Sequence, residues 1–325
     1  MVEPQTWSLS GRTIHNKKVK VVEIMKSLTN SIEIIGKVLK INLTEGELTY
    51  KSSGKTVKKI EGDITFRVEI EGAIHEPKME VFCTESSKYF SGYQKVMNEY
   101  KTIDDVGEEE ADRVKANGKM DKSEYYSSKN SRIAYYNKPM LTSITRKVAE
   151  DAEDKSEIII AGLIRKVAPK KDKEGLPTGE IEIDMINIPW VYGDKTPTLI
   201  QPVGLYAQAE YSDFFNSMVL KDTVWKFTAV LERGVEIKEE STGVGFGNYK
   251  VVPKKSYSNG IRVIGGEALK DFTATEIEEI VKLRATQRDT IGNQGIQKTN
   301  ESEKKTGGAS FGTNNTPTVD DDMPF

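Results

Sequence analysis

The sequence predicts a mainly β protein: two tandem barrels of short strands, then a short amphipathic helix and a disordered C-terminal tail. Three observations lead there. Residues 32–41, reading IEIIGKVLKI, and residues 158–167, reading IIIAGLIRKV, share one strand-like design, rich in Ile and Val with a Gly near the middle. The order of elements after each copy repeats as well. After residue 290 the chain becomes almost entirely Gly, Asn, Gln, Ser, Thr, Lys and Glu, a composition that buries too little apolar surface to offset its ordering entropy.

Taken in order, each opening strand leads through a lysine-rich turn to a second strand. The turn and strand are 51–59 and 63–70 in the first copy. In the second they are 170–173 and 180–188, where Ile181, Ile183 and Met185 alternate with polar residues. A short helix follows at 89–97 and again at 211–218. The first copy returns to strands at 114–120 and 132–136, the second at 224–231, 249–252 and 261–264. Strand, strand, strand, short helix, strand, strand is the order of an OB-fold. The expected organisation is an N-terminal arm at 1–29, an OB-like domain at 30–148, an acidic linker at 149–155 and a second OB-like domain at 156–268. A helix at 269–288, a disordered linker at 289–319 and a tip at 320–325 complete it.

The helix carries Ala274, Ile277, Ile280 and Val281 at helical spacing with Leu283 at the edge of the stripe, and Arg284 stands where another turn would extend it. Packing against the second barrel is the expected use of that face; self-association is the alternative. The acidic runs at 104–112 and 150–154 are bunched rather than spaced for coordination, so a solvated loop and a linker are expected rather than a metal site. Arg12, Lys17, Lys18, Lys20 and Lys26 mark a basic arm or a leading strand near the N-terminus.

At 325 residues the chain is long enough for two modest domains, and 37% hydrophobic with 30% charged residues is the composition of a soluble protein. No run approaches the ~20 apolar residues of a membrane span. The first residues lack the apolar core of a secretory signal, and Cys83 is the single cysteine, which fits a reducing cytoplasm. The formal net charge is −3, so a nucleic-acid surface would require segregation of charge.

Segregation is present. Between Arg113 and Lys138 seven basic residues face two acidic ones, and the pairs Tyr125-Tyr126 and Tyr135-Tyr136 are interleaved with them. A positive groove that follows phosphates, combined with aromatic rings that stack on bases, is how single-stranded nucleic acid is held. The candidates in the first copy are Lys51, Lys55 and Lys58 in the first turn, then Lys115, Lys119, Tyr125, Tyr126, Lys129, Arg132, Tyr135 and Tyr136. In the second copy they are Lys170, Lys171, Trp190, Phe246, Tyr249, Lys254, Lys255 and Tyr257, with Lys250 and Arg262 in the same acid-free run. Both sets fall on the loops that OB-folds wrap around ligands. Because neighbouring strand residues face opposite ways, about half of these rings are free to stack. Trp225, inside a strand, is expected in the core.

Enzymatic readings find little support. His15 and His75 belong to no cluster with metal-ligand spacing, so no metal or other cofactor is expected. Cys83 follows Val81 and Phe82 in a strand pattern and is expected to be a small core residue. Gly54-Lys55-Thr56 resembles the end of a phosphate-binding loop, but Thr49 stands where its first glycine belongs. Gly243-Val244-Gly245-Phe246-Gly247 lacks the third glycine of a dinucleotide fingerprint.

The chain ends in Asp320-Asp321-Asp322-Met323-Pro324-Phe325, three carboxylates and a small apolar anchor on a long tether. This tip resembles that of bacterial single-stranded DNA-binding proteins, which usually reads Asp-Asp-Asp-Ile-Pro-Phe, with Met323 replacing the Ile. The resemblance covers the tip and its linker. It implies sequence-independent binding and protection of single-stranded DNA, and recruitment of replication, recombination and repair enzymes through the tip, without catalysis. The common bacterial pattern has one OB domain per chain in a tetramer; two per chain imply a monomer or a homodimer, and a host-like tip would suit a phage or mobile-element protein. An RNA-binding OB protein, a scaffold that docks on replication proteins through the tip, and a nuclease using the acidic clusters are the competing readings.

Overall fold

The computed structural model describes residues 28–50, 53–121, 123–172, 174–189, 199, 205–242 and 250–306, side chains excepted at 234–242, 250–259 and 294–306. Strand alternation organises the first half. In β1 (Asn30–Thr49) Ile32, Ile34, Val38 and Leu43 turn inward. β2 (Thr56–Ile70) runs back beside it, and a two-residue turn at Glu71 and Gly72, both with positive φ, leads to β3 (Ala73–His75). β4 (Lys78–Thr84) pairs with β2 and is followed by α1 (Phe90–Glu99) and the single turn α2 (Ile103–Val106), which Thr102 caps through the Asp105 N–H. β5 (Arg113–Asp121), the ribbon of β6 (Tyr125–Ser127) and β7 (Arg132–Ala134), and β8 (Lys138–Thr145) complete this half. The pairings close a ring, β1-β2-β4-β8-β5 and back to β1, with only the β4–β8 contact parallel.

The second half repeats the plan. β9 (Lys155–Lys171), β10 (Pro177–Ile186), β11 (Leu205–Ala207), a 3-10 turn with α3 (Ser212–Met218), β12 (Val224–Thr242) and β13 (Lys250–Leu269) follow in order. Their ring is β9-β10-β11-β13-β12 and back to β9, with β11–β13 parallel. Five strands in this order with the helix between third and fourth make two tandem OB-fold-like barrels, the fold class that the element order predicts.

The barrels share a seam. Asn30 to Ile35 of β1 pair antiparallel with Ile160 to Lys155 of β9, and Ile32 lies opposite Ile158. These two isoleucines also hold equivalent places in the repeated strand design, so the seam is self-complementary about a pseudo-two-fold through them, as in a symmetric dimer interface. One hydrophobic core crosses it, from Phe66, Met79 and Met120 through Ile32 and Ile158 to Phe227 and Trp225. Trp225 is therefore a core residue as expected, its ring stacked 5.8 Å from that of Phe227. Cys83 is also buried in this core. Asp154, expected to be solvated, instead holds Arg113 at 2.8 Å and accepts the Glu69 N–H.

The strand-middle glycines explain themselves here. Past Gly36, β1 exchanges β9 for β2 as its neighbour, and past Gly162 β9 exchanges β1 for β10. Each glycine lies under the crossing second strand: a methyl on Gly36 would strike the Arg67 carbonyl and the Val68 side chain, and one on Gly162 would come within 2.5 Å of the Ile186 carbonyl oxygen.

Two elements differ from expectation. The fifth strand of the first barrel is β8, not 132–136, which instead supplies β7 of a separate two-stranded sheet. The helix expected at 269–288 is α4 (Ala274–Thr306) and runs into the segment expected to be a linker. It opens on a capping box, in which the Glu276 N–H donates to Thr273 Oγ1 at 3.3 Å and the Thr273 N–H donates to Glu276 Oε2 at 2.7 Å. Beyond residue 288 the Gln, Lys and Glu residues at 294, 297, 298, 301 and 303–305 favour helix, against Gly292 and Gly295. Ile280, Ile277, Val281 and Leu283 of α4 cover a second apolar cluster with Leu28, Leu163, Ile186, Ile188, Leu199 and Val224. Residues 307–325 and 1–27 lie outside the described residues. No helix among the described residues is long and apolar enough to cross a membrane.

Gly162→Ala is expected to destabilise the protein by about 1–3 kcal/mol through the forced clash. Gly92→Ala, exposed on α1 with open space around it, is expected to stabilise by about 0.5–1 kcal/mol. Urea unfolding of both variants measures the contrast.

Candidate nucleic-acid interface

Strand alternation decides what each barrel shows to solvent. In β4 Met79, Val81 and Cys83 point into the core, which turns Glu80, Phe82 and Thr84 outward. The register sets them opposite Asp63, Glu61 and Lys59 of β2. Phe82 is 52% exposed in the midst of this polar face. Lys119 shares the face: it lies opposite Met140 of β8, which sits beside Glu80. In the second barrel Tyr206 of β11 holds the corresponding place, opposite Glu182 of β10. Each barrel thus puts one aromatic ring on the outer side of its third strand beside a glutamate of its second.

The two rings differ in availability. Lys170 Nζ lies 3.9 Å from the centre of the Tyr206 ring, and the Tyr206 hydroxyl donates to Glu232. Burial, then the Glu232 carboxylate, pushes that hydroxyl's pKa well above its ordinary value. Arg262 completes the group, 2.5 Å from Glu232 and 3.0 Å from Glu71 on the β2–β3 turn of the first barrel. An open pocket of about 270 Å³ lies here, lined by Glu71, His75, Glu180, Tyr206, Glu232 and Arg262 among others. Arg262, counted in an acid-free run along the sequence, is neutralised by carboxylates from other strands.

The same accounting separates the remaining cations. Lys115 pairs with Glu33 at 2.5 Å, and Lys170 with Glu180 at 2.7 Å. Lys55, Lys58, Lys119, Arg132 and Lys171 are exposed and make no ion pair among the described residues. Lys129 is exposed near the tip of the β6–β7 ribbon. Apart from Lys119, these cations lie at hairpins or strand ends, whereas on the outer sheet faces Lys59 meets Glu61, Lys138 meets Glu80 and Lys166 meets Glu182.

Tyr125 and Tyr126, on β6, separate as strand geometry requires, whereas Tyr135 and Tyr136 follow the end of β7 and are both half-buried. Tyr125 is 49% exposed, whereas Tyr126 is half-buried. Tyr135 leans on the second barrel: burial and then Asp184 and Glu182 of β10 push its hydroxyl up to about 12, against the nearby Arg288 and Arg284. Tyr136 is half-buried, its N–H donating to Ser123 Oγ at 3.2 Å. Lys51, Trp190, Phe246 and Tyr249 lie outside the described residues. Lys254, Lys255 and Tyr257 lie on β13 opposite Lys238, Ile237 and Val235, and their side chains fall outside the description, as do residues 320–325.

Phe82, Tyr206 and Arg284 are the residues that sequence reasoning missed. The alternation of Met79, Val81 and Cys83 carried the signal for Phe82. Arg284, read as the end of an apolar stripe, is nearly fully buried and forms a bidentate ion pair with Glu124, one contact being 2.6 Å. Among the described residues no group of His, Cys, Asp and Glu could hold a metal ion.

This arrangement defines a two-barrel OB-type protein with an aromatic ring on each outer face and cationic rims. Residues 29–316 match the YorF family, and the chain belongs to that family. Among solved structures, the wild-type single-stranded DNA binding protein from Thermus aquaticus is similar at 9% identity over 77% of this chain and 97% of that one, with a TM-score of 0.42. A deletion mutant of the same protein is similar at 9% identity over 76% and 98%, with a TM-score of 0.40. No curated protein matches significantly.

Asp184 generates a stability prediction. Burial, then Glu182, raises its pKa above the ordinary 3.8, against the opposing pull of Lys166, and its Oδ1 has no hydrogen-bond partner among the described residues. A raised carboxyl favours the protonated folded form, so its contribution is present at low pH and lost as pH rises through the folded pKa. Asp184→Asn is expected to raise Tm by a few degrees at neutral pH, with the gain shrinking as the pH falls toward 4. Thermal melts across that range measure it, and a gain independent of pH would contradict the assignment.

Proposed function

We propose that this chain binds and protects single-stranded DNA without sequence preference. The observation that carries the reading is Phe82, a large ring left half-exposed in the midst of a polar sheet face, on the same outer face as the unpaired Lys119. An apolar ring kept in water on a regular strand has no packing role, whereas it offers a platform on which any base can stack. Tyr125 adds a second exposed ring, and Lys55, Lys58, Lys129 and Arg132 add charge on the hairpins. In this reading the two binding units are residues 30–148 and 156–268, and the nucleic acid runs from the cationic hairpins of the first barrel to Phe82 and Lys119 on its outer face. Residues 320–325 recruit replication, recombination and repair enzymes, the three aspartates steering toward basic surfaces and Phe325 anchoring. No reaction is part of the proposal.

The test is fluorescence-anisotropy titration of single-stranded DNA, matched RNA and duplex at two salt concentrations. Preference for both mixed-sequence and dT single strands, weakened by salt, is expected. Preference for duplex would sink the reading, and preference for RNA would move the substrate class. Phe82→Ala and Tyr125→Ala are each expected to weaken binding by about 1–3 kcal/mol. Lys58→Ala and Lys119→Ala are each expected to lower the log–log salt slope by about 0.7, with little change in stability.

A further inference from the structure

We infer that Arg284 is a positioning residue: from helix α4 it pins the β6–β7 ribbon of the first barrel and so presents Tyr125, Lys129 and Arg132 to nucleic acid. The inference rests on the proposed binding function. The ribbon is a separate two-stranded sheet of three residues per strand. A sheet that small is marginal in water and takes its position from what it leans on. It leans on α4. Glu124, the residue before Tyr125, has a side chain 1% exposed and meets Arg284, 6% exposed, through both guanidinium Nη atoms. Two parallel hydrogen bonds fix direction as well as distance, which a single lysine contact would not do.

The other end of this contact is rigid. Ile280, one turn before Arg284, is buried against Leu163, Ile186 and Val224 of the second barrel, and the capping box holds the start of the helix. At the base of the ribbon, Tyr135 is close enough to Asp184 and Glu182 of β10 and to Arg284 and Arg288 for all four to shift its hydroxyl. A binding arm of one barrel is thereby held by a helix packed on the other. Its exposed ring and cations are preorganised, so their ordering entropy is not charged to binding.

The experiment uses the full-length chain and two independent readouts. Limited trypsin cleavage after Lys129 and Arg132, without DNA, reports release of the ribbon; anisotropy with single-stranded DNA reports its consequence. Arg284→Ala and the near-isosteric Glu124→Gln are expected to speed cleavage in the ribbon at least tenfold and to weaken DNA binding about tenfold, with cooperative melting retained. The double exchange Glu124→Arg with Arg284→Glu is expected to restore both toward wild type. Should Arg284→Ala fail to fold, Arg284→Lys keeps the charge, loses the fork and is expected to show the same effects, smaller. Unchanged cleavage in the folded variants overturns the pinning, and faster cleavage with unchanged affinity overturns the positioning role. Wild-type protein that binds no single strand would defeat the proposed function instead, while the cleavage readout would still judge the pin.

Discussion

Antiparallel pairing of Asn30–Ile35 with Lys155–Ile160 is the contact on which the rest of the molecule depends. Each opening strand serves three ladders: β1 holds β5 along one edge and β9 then β2 along the other, while β9 holds β12 along one edge and β1 then β10 along the other. Without the seam both barrels would expose the start of an Ile-rich edge, an open template for pairing with other chains. With it, the edges disappear into each other and the two interiors become one core. The seam also brings the β2–β3 turn of one barrel against β12 of the other, where the Glu76 N–H donates to the Arg233 carbonyl at 2.9 Å and Glu71 reaches Arg262.

That proximity makes the two barrels unequal despite their common plan. In the first, the outer aromatic ring is exposed and Lys55, Lys58 and Arg132 make no ion pair among the described residues. In the second, the corresponding ring is covered by Lys170 and tied through Glu232 to a cross-barrel ion pair. Arg262 and Glu232 have side chains only 10% and 15% exposed, so removing either would leave the other charge poorly solvated, whereas Glu71, 69% exposed, meets Arg262 from the solvent side. The second face thus helps to hold the halves together, and the first leaves its ring open to solvent.

Much of the fold was legible because it depends on local pattern. The repeated Ile-rich strands, their central glycines, the alternation of Ile181, Ile183 and Met185, and the two helices all announce themselves within a few residues. What stayed hidden depends on distant neighbours. β8 was overlooked because it buries only Leu141 and carries Pro139 near its start, while 132–136, with better strand residues, spends them on α4 and β10. A patch of like charge along the sequence is not one in space, because strands set Glu33 beside Lys115 and Glu232 beside Arg262. Periodicity could not reveal Arg284, whose buried partner is 160 residues away. Phe82 was readable from its own strand, once the inward set was recognised.

The chain passes from one barrel to the other through residues 146–154, between the end of β8 and the start of β9. So short a tether holds the seam partners at an effective concentration of order millimolar. A self-complementary interface that elsewhere would require two molecules to meet is here a first-order event, and its occupancy does not change when the protein is diluted.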